Sequence, residues 1–263
     1  DKLSPLDVNT PVTLQDLIIS RLDRLGDSKP VAQIASIIDR TIHLDVLAEV
    51  IARIRPAMNI HATLQVHVRR LMDNQIIVPL VHDENCFKFK HTLIQDTISR
   101  SLLLATRKQY SETLGDFFCS TSNDQNLYLS YHHFMQAENI EKSITVLLPL
   151  VDMMIQKGAF RESMHLVESG MLKLDSQLEA PWYPGLKLQL LLRLGYICMA
   201  TFGYGSLKCK NIFEQTLALS RDLEHLEGQF RSIWGLARFS MMNSGLALGK
   251  QYAGELVKIA EQQ

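Results

Sequence analysis

From Thr13 onward, apolar residues return at three- and four-residue steps: Leu14, Leu17, Ile18, Leu22 and Leu25 form one stripe along a helix. Thr13 with Asp16 three residues later is a variant of the capping box that opens such a helix, and Gly26 supplies its stop. Ser28 is placed to cap a second helix, which tolerates Pro30 in its first turn and turns Val31, Ile34, Ala35 and Ile38 inward. A third helix is predicted over about His43 to Arg53, closed by Pro56. A fourth over Ile60 to Asp73 puts Leu64, Val68 and Leu71 on one face. The period then shortens. Ile76-Ile77-Val78 and Cys86-Phe87-Lys88-Phe89 read as strands around a turn-forming His82-Asp83-Glu84-Asn85. Helices followed by a β-hairpin are the order of a winged helix, so a winged-helix-like module is expected over 13–90, after a linker over 1–12.

Beyond Lys90 the pattern is helical to the end. Segments are predicted at about Thr92 to Leu104, Arg107 to Cys119, Asn126 to Met135, Ile140 to Lys157, Phe160 to Ser176, Pro184 to Thr201, Ser206 to Leu223, Gln229 to Met242 and Leu246 to Glu261. Asn139, Gly158, Gly203, Gly205 and Gly245 mark short joints, and helices joined so briefly must lie antiparallel.

A small residue, a large one four positions on, and a small or apolar one three further recur on what read as alternate helices. Ser143, Leu147 and Leu150 fit; so do Ser163, Val167 and Gly170, then Cys209, Phe213 and Thr216, then Gly249, Ala253 and Leu256. A small residue lets two helices approach, and the large one fills the groove a turn later. Gly158-Ala159-Phe160-Arg161-Glu162-Ser163 has the residue order that opens the second helix of a tetratricopeptide repeat, and Leu194-Gly195 sits on the preceding type of helix. Successive small positions do not keep the standard repeat length, so the expected architecture over 91–263 is a divergent tetratricopeptide-like α-α superhelix. The fold class is thus mostly α. Such arrays offer an extended surface to proteins or peptides.

Composition narrows the partners. Apolar residues make up 46% and charged residues 21%, which argues for a packed core rather than disorder, and the net charge of −1 gives no general pull toward nucleic acid or anionic membrane. Cys86, Cys119, Cys198 and Cys209 form no C-x-x-C pair and read as reduced cysteines of a cytoplasmic protein. Residues 1–10 carry no apolar run of a signal peptide, and Ile144 to Ile155, the longest apolar candidate for a membrane span, is interrupted by Pro149 and Asp152. A start at Asp1 and an end within a helical pattern give the chain the character of a piece of a larger protein.

Three stretches resemble the region that follows the nucleotide-binding core in signal-transduction ATPases with numerous domains, of the kind associated with class III adenylate cyclases, protein kinases or large helix-turn-helix transcription activators. Pro11 to Leu17 with Arg21-Leu22-Asp23-Arg24-Leu25 is similar to that family's entry helix. Phe87-Lys88-Phe89-Lys90-His91-Thr92-Leu93-Ile94-Gln95-Asp96, running on to Ser101-Leu102-Leu103, resembles its wing strand and following helix. Gly203-Tyr204-Gly205 leading to Phe213-Glu214-Gln215-Thr216-Leu217 resembles a repeat joint. Asp39 before Arg40, where the family usually has Gly, and Ile98, where Tyr is common, depart from it. The resemblance implies an ATPase domain upstream, which would hold ATP or ADP with Mg, and an effector domain elsewhere. It also implies a nucleotide-sensing role for His91, by analogy with a histidine that reaches the β-phosphate of ADP in related ATPases; the alternative is a histidine bonded to local backbone or to Asp96.

Catalytic chemistry finds no motif. Gly245 to Gln251 is one residue short of a phosphate-binding loop and lacks its Ser or Thr. No nucleophile elbow is present, Asp83-Glu84 falls in the expected turn, and no cofactor is expected in this chain. No metal site is expected either: adjacent His132 and His133 point to different helix faces, and His61 and His67 lack ligand partners. Arg69, Arg70, Lys88 and Lys90 are the DNA-contact candidates, offset by Asp73, Asp83 and Glu84. The expected function is therefore a non-catalytic regulatory or scaffold region. Its repeats would bind a protein or peptide and its winged-helix-like module would couple to an intramolecular NTPase domain. The alternative is a DNA-binding transcription regulator fragment.

Overall fold

The computed structural model describes residues 13–80, 83–121, 124–243 and 245–261. The expected linker over 1–12 and His82 of the expected turn lie outside them. The described residues form thirteen α-helices and a three-stranded antiparallel sheet. Contacts divide them into a first unit, reaching to Ser120 and including Gln136–Glu138, and a second, Thr121–Met135 with Asn139 onward.

In the first unit, α1 (Leu14–Asp23) opens with the Thr13 box. The Thr13 hydroxyl accepts from the Asp16 amide at 3.2 Å, and Asp16 Oδ2 accepts in return from the Thr13 amide at 3.0 Å. Gly26, at φ +54°, turns the chain into α2 (Lys29–Ile38), which buries Val31, Ile34, Ala35 and Ile38. Ser28 stands at the head of α2, but its hydroxyl does not cap; it lies 2.9 Å from Nδ1 of buried His67 on α4. The long-range bond wins because His67 would otherwise be a buried polar ring without a partner. After α3 (Leu44–Ile54) and α4 (Ile60–Asp73) come β2 (Ile77–Leu80) and β3 (Asp83–Phe89).

The sequence pattern does not reveal β1 (Thr41–His43). It pairs with β3, opposite Cys86 to Lys88, so the sheet order is β1-β3-β2. Asp83 and Asn85 belong to β3 rather than to a free turn. The turn chemistry survives locally, since Asp83 Oδ1 accepts from the Asn85 amide at 2.9 Å. α5 (Thr92–Arg100) ends earlier than expected, at a Ser101 whose hydroxyl bonds the Ile98 carbonyl, and Leu104 begins α6 (Leu104–Ser120). α5 packs on α1 and α2, and α6 on α2 and α3, so the first unit extends past residue 90, where the sequence places its end.

The second unit consists of α7 (Asp124–Gln136, up to Met135), α8 (Ile140–Gln156), α9 (Phe160–Leu174), α10 (Tyr183–Phe202), α11 (Leu207–Asp222), α12 (Leu226–Met242) and α13 (Leu246–Ala260). From α8 on, each helix packs on the next; α10 also touches α8 and α12. Pro149 sits within α8 on its exposed side, where the carbonyl left without its helical partner is open to solvent rather than buried.

The small–large rule operates between helices. A Cβ on Gly170 of α9 would lie 2.5 Å from Leu147 Cδ2 of α8. The Phe213 ring of α11 is wedged against two glycines: a Cβ on Gly195 of α10 would meet it at 2.9 Å, and one on Gly235 of α12 at 2.5 Å. Ser143, Ser163, Val167 and Cys209 are fully buried, and Gly249 is buried as well. Two expectations change. α8 and α9 are neighbours, not alternate helices, and Ala253 is exposed because α13 packs on α12 by its other face.

Among the described residues, α10 is the helix whose length and composition would suffice to cross a membrane; α8, which carries Ile144 to Ile155, is 17 residues long. An 18-residue stretch of the 20 residues of α10 has a mean hydropathy of 1.2. Here it supplies Leu188, Leu190, Leu191, Leu194 and Ile197 to the core of the second unit, and its Lys187 and Arg193 are paired to Asp175 and Asp152.

Candidate functional site

The contacts of α10 with α8 and α12 leave a face of these three helices on which two depressions adjoin, sharing Leu192, Tyr196 and Arg231. The first is an apolar hollow of about 250 Å³, with Leu191, Met199 and Phe213 among its walls and Tyr196, Phe230 and Trp234 about it. Tyr196 is 50% exposed and Phe230 40%, so both rings add apolar surface to this face. The second, about 500 Å³, is polar and includes Asp152, Gln156, Gln189, Arg193 and Glu227.

Fixed charges frame this face. Arg193 grips Asp152 with both prongs, Nε to Oδ1 at 2.8 Å and Nη2 to Oδ2 at 2.6 Å, and its Nη1 reaches the Gln189 carbonyl and side chain. Arg231 pairs with Glu227 one turn back at 2.6 Å, but its side chain is 60% exposed, so it can turn toward a ligand. Arg238, farther along α12, lies 5.1 Å from the Trp234 ring and 5.4 Å from that of Tyr204, which holds the indole in place. Phe213 joins packing to site: the ring wedged against Gly195 and Gly235 also lines the hollow.

The sequence-predicted residues fall elsewhere. His91 is the exposed N-cap residue of α5 and makes no capping bond; neither does it bond Asp96. Arg69 and Lys88 are exposed, Arg70 reaches the Leu25 carbonyl at 3.4 Å, and Lys90 donates to Gln75 at 2.8 Å. Ser143, Leu147, Ser163, Val167, Gly170 and Cys209 lie in the helix packing and offer nothing to a ligand. All four cysteines are free; Cys119 is exposed, and burial, then Cys209, pushes the Cys198 thiol up to about 12. The aromatic residues of the open face were passed over because each alone reads as core. The signal that could have found them is that Tyr196 and Trp234 adjoin Gly195 and Gly235, so each aromatic flanks the glycine that lets Phe213 in.

In the first unit, three donors converge where sequence reading expects no metal site. His43 closes β1 opposite Cys86 in β3, with Nδ1 2.9 Å from Cys86 Sγ, and Sγ donates to Asp83 Oδ2 at 3.0 Å. The thiol is 2% exposed, and burial followed by the Asp83 bond pushes it up to about 11; His43 and Asp83 are open to solvent.

No protein-family model matches the chain, and no curated protein matches it.

Proposed function

We propose that the chain is a non-catalytic regulatory and scaffold region. The second unit, read as a tetratricopeptide-like array, holds a protein or peptide segment on the open face of α8, α10 and α12. The first, read as winged-helix-like from its helices, hairpin and completing strand β1, couples that event to an NTPase domain of the same signalling ATPase, where ATP or ADP and Mg are bound. The observation that carries this reading is the apolar hollow beside a polar depression. At about 250 Å³ the hollow lies below the ~300–1,000 Å³ of small-molecule sites, yet takes one large apolar side chain. The adjoining depression sets Gln156, Gln189 and Arg231 beside it for the backbone and charges of an extended peptide. Four free cysteines favour a reducing, cytoplasmic setting.

The test is selection from a displayed peptide library on the purified chain. Recovered peptides carry an aromatic or long aliphatic anchor, and Tyr196→Ala or Arg231→Glu weakens them tenfold or more without changing the fold by circular dichroism. Peptides indifferent to both substitutions overturn the placement. Salt-dependent duplex binding that disappears with Arg69→Ala and Lys88→Ala would turn the reading to the DNA-binding alternative. In the full-length protein, His91→Ala raises basal effector output; unchanged output with unchanged ADP retention removes the sensing role.

A further inference from the structure

We propose that His43, Asp83 and Cys86 bind one transition-metal ion, zinc by preference, at the junction of β1 and β3. The proposal is independent of the peptide-binding face, which belongs to the other unit.

The donor chemistry selects the metal. One sulfur, one imidazole nitrogen and one carboxylate oxygen are the mixed set that suits zinc, whereas calcium and magnesium ask for six or more oxygens. The three ligand atoms lie within 4.8 Å of one another, two of them three residues apart on β3 and the third, from His43, 43 positions before Cys86. The sheet brings them together: the β1–β3 register sets His43 directly across from Cys86, and the Asn85 amide holds Asp83 by its Oδ1 while Oδ2 turns to the sulfur.

The spacing fits after a small adjustment. Zinc–sulfur and zinc–nitrogen bonds of ~2.3 and ~2.05 Å at a tetrahedral angle put sulfur and nitrogen about 3.6 Å apart. The present 2.9 and 3.0 Å are hydrogen-bond lengths, so each outer ligand withdraws by about 0.6–0.7 Å. His43 and Asp83 are both exposed and free to do so, while Cys86 stays anchored in the buried face of β3. Nδ1 faces the sulfur at 2.9 Å and Nε2 lies at 3.9 Å, so the two ring nitrogens bracket the bonding separation and a small turn of the exposed ring brings one of them to it. On binding, the metal–sulfur bond forms as the S–H bond breaks, and that proton leaves to buffer. His43 and Asp83 contribute lone pairs, and the fourth position opens to solvent for water or an external ligand. Three protein ligands and one open position are also the arrangement by which zinc acts on a bound molecule.

The experiment is titration of the chelator-treated whole chain with cobalt(II), read by absorbance, followed by displacement with zinc(II). One equivalent of cobalt produces a thiolate-to-cobalt charge-transfer band and the visible bands of tetrahedral cobalt, and zinc removes both. Cys86→Ser abolishes the charge-transfer band, and His43→Gln and Asp83→Asn each weaken cobalt binding tenfold or more. Cys119→Ser, at an exposed thiol outside the cluster, changes nothing. Absence of the band with excess cobalt overturns the site, as does a band that survives Cys86→Ser. Should Cys86→Ser fail to fold, the two exposed-ligand variants decide: affinity unchanged in both refutes the proposal.

Discussion

Gly235→Ala adds one methyl group at a crowded helix crossing of the second unit. Its Cβ would stand 2.5, 2.6 and 2.7 Å from Cε2, Cζ and Cδ2 of Phe213, a whole ring edge rather than the tip of a flexible chain. The ring has little room to withdraw, because Gly195 already borders it with no side chain of its own and Phe213 is 6% exposed. Overpacking of this kind costs about 1–3 kcal/mol, and contacts this short place it at the upper end. Alanine returns about 1 kcal/mol of helix propensity over glycine. The net is destabilisation of about 2 kcal/mol. The assay is urea unfolding followed by tryptophan fluorescence; Trp182 and Trp234, the latter beside Gly235, both lie in the second unit, so that unit is monitored rather than an average of both. Gly254→Ala on α13, where a Cβ meets nothing within 4 Å, serves as the control and stabilises by up to about 1 kcal/mol. Combining Gly235→Ala with Phe213→Leu makes room for the methyl, so the double variant loses less than the sum of the two. Strict additivity, or an unchanged midpoint for Gly235→Ala, would refute the wedge. Because Phe213 also lines the hollow, the same methyl weakens peptide binding.

The remaining predictions concern single contacts. Burial, then the Arg70 charge, holds the His67 imidazole below its ordinary value of 6.5. The unfolded chain therefore takes up the proton first, and the first unit loses stability as pH falls through 6.5 toward the lowered folded-state value. Urea midpoints followed by circular dichroism, since neither tryptophan lies in the first unit, check this on either side of pH 6.5, and His67→Gln flattens the difference; a midpoint that rises on acidification in the parent but not in His67→Gln contradicts it. Ser28→Ala leaves His67 Nδ1 without its partner and costs about 1–3 kcal/mol in the same assay. Asp152→Ala removes a two-pronged arginine pair, yet Asp152 is 47% exposed, so the loss stays near or below about 1 kcal/mol in a thermal scan; a much larger loss would mean the pair does more than frame the surface.

How much of this was legible in the sequence depends on the range of the interaction. α4 runs from Ile60 to Asp73, as its apolar stripe predicts, and α8 and α13 begin at the predicted residues, because caps and periodicity are local. β1 was invisible: three residues carry no period of their own, and Thr41–His43 is extended only because β3 accepts it. The metal-donor cluster went unseen for the same reason, with His43 read as the head of a helix and Asp83 as a turn residue. The small residues of the helix crossings were found, but Gly235 was not, since its partner Phe213 lies on another helix. The exposed aromatics Tyr196 and Phe230 look like core to any rule that sees only residue type.

The order β1-β3-β2 has a consequence for synthesis on the ribosome. The central strand is the last of the three to be made, so β1 emerges and must wait for Phe89, some 46 residues after His43, before the sheet can close. At ~5–20 residues per second that wait is about 2–9 seconds. Through it the chain carries an unpaired edge. That edge is only three residues long, too short to template pairing with a neighbouring chain. α2 and α3, which flank it, pack on each other without the sheet and give the nascent strand a surface to rest on. A brief β1 is thus the form in which a strand completed so late is least hazardous to the cell.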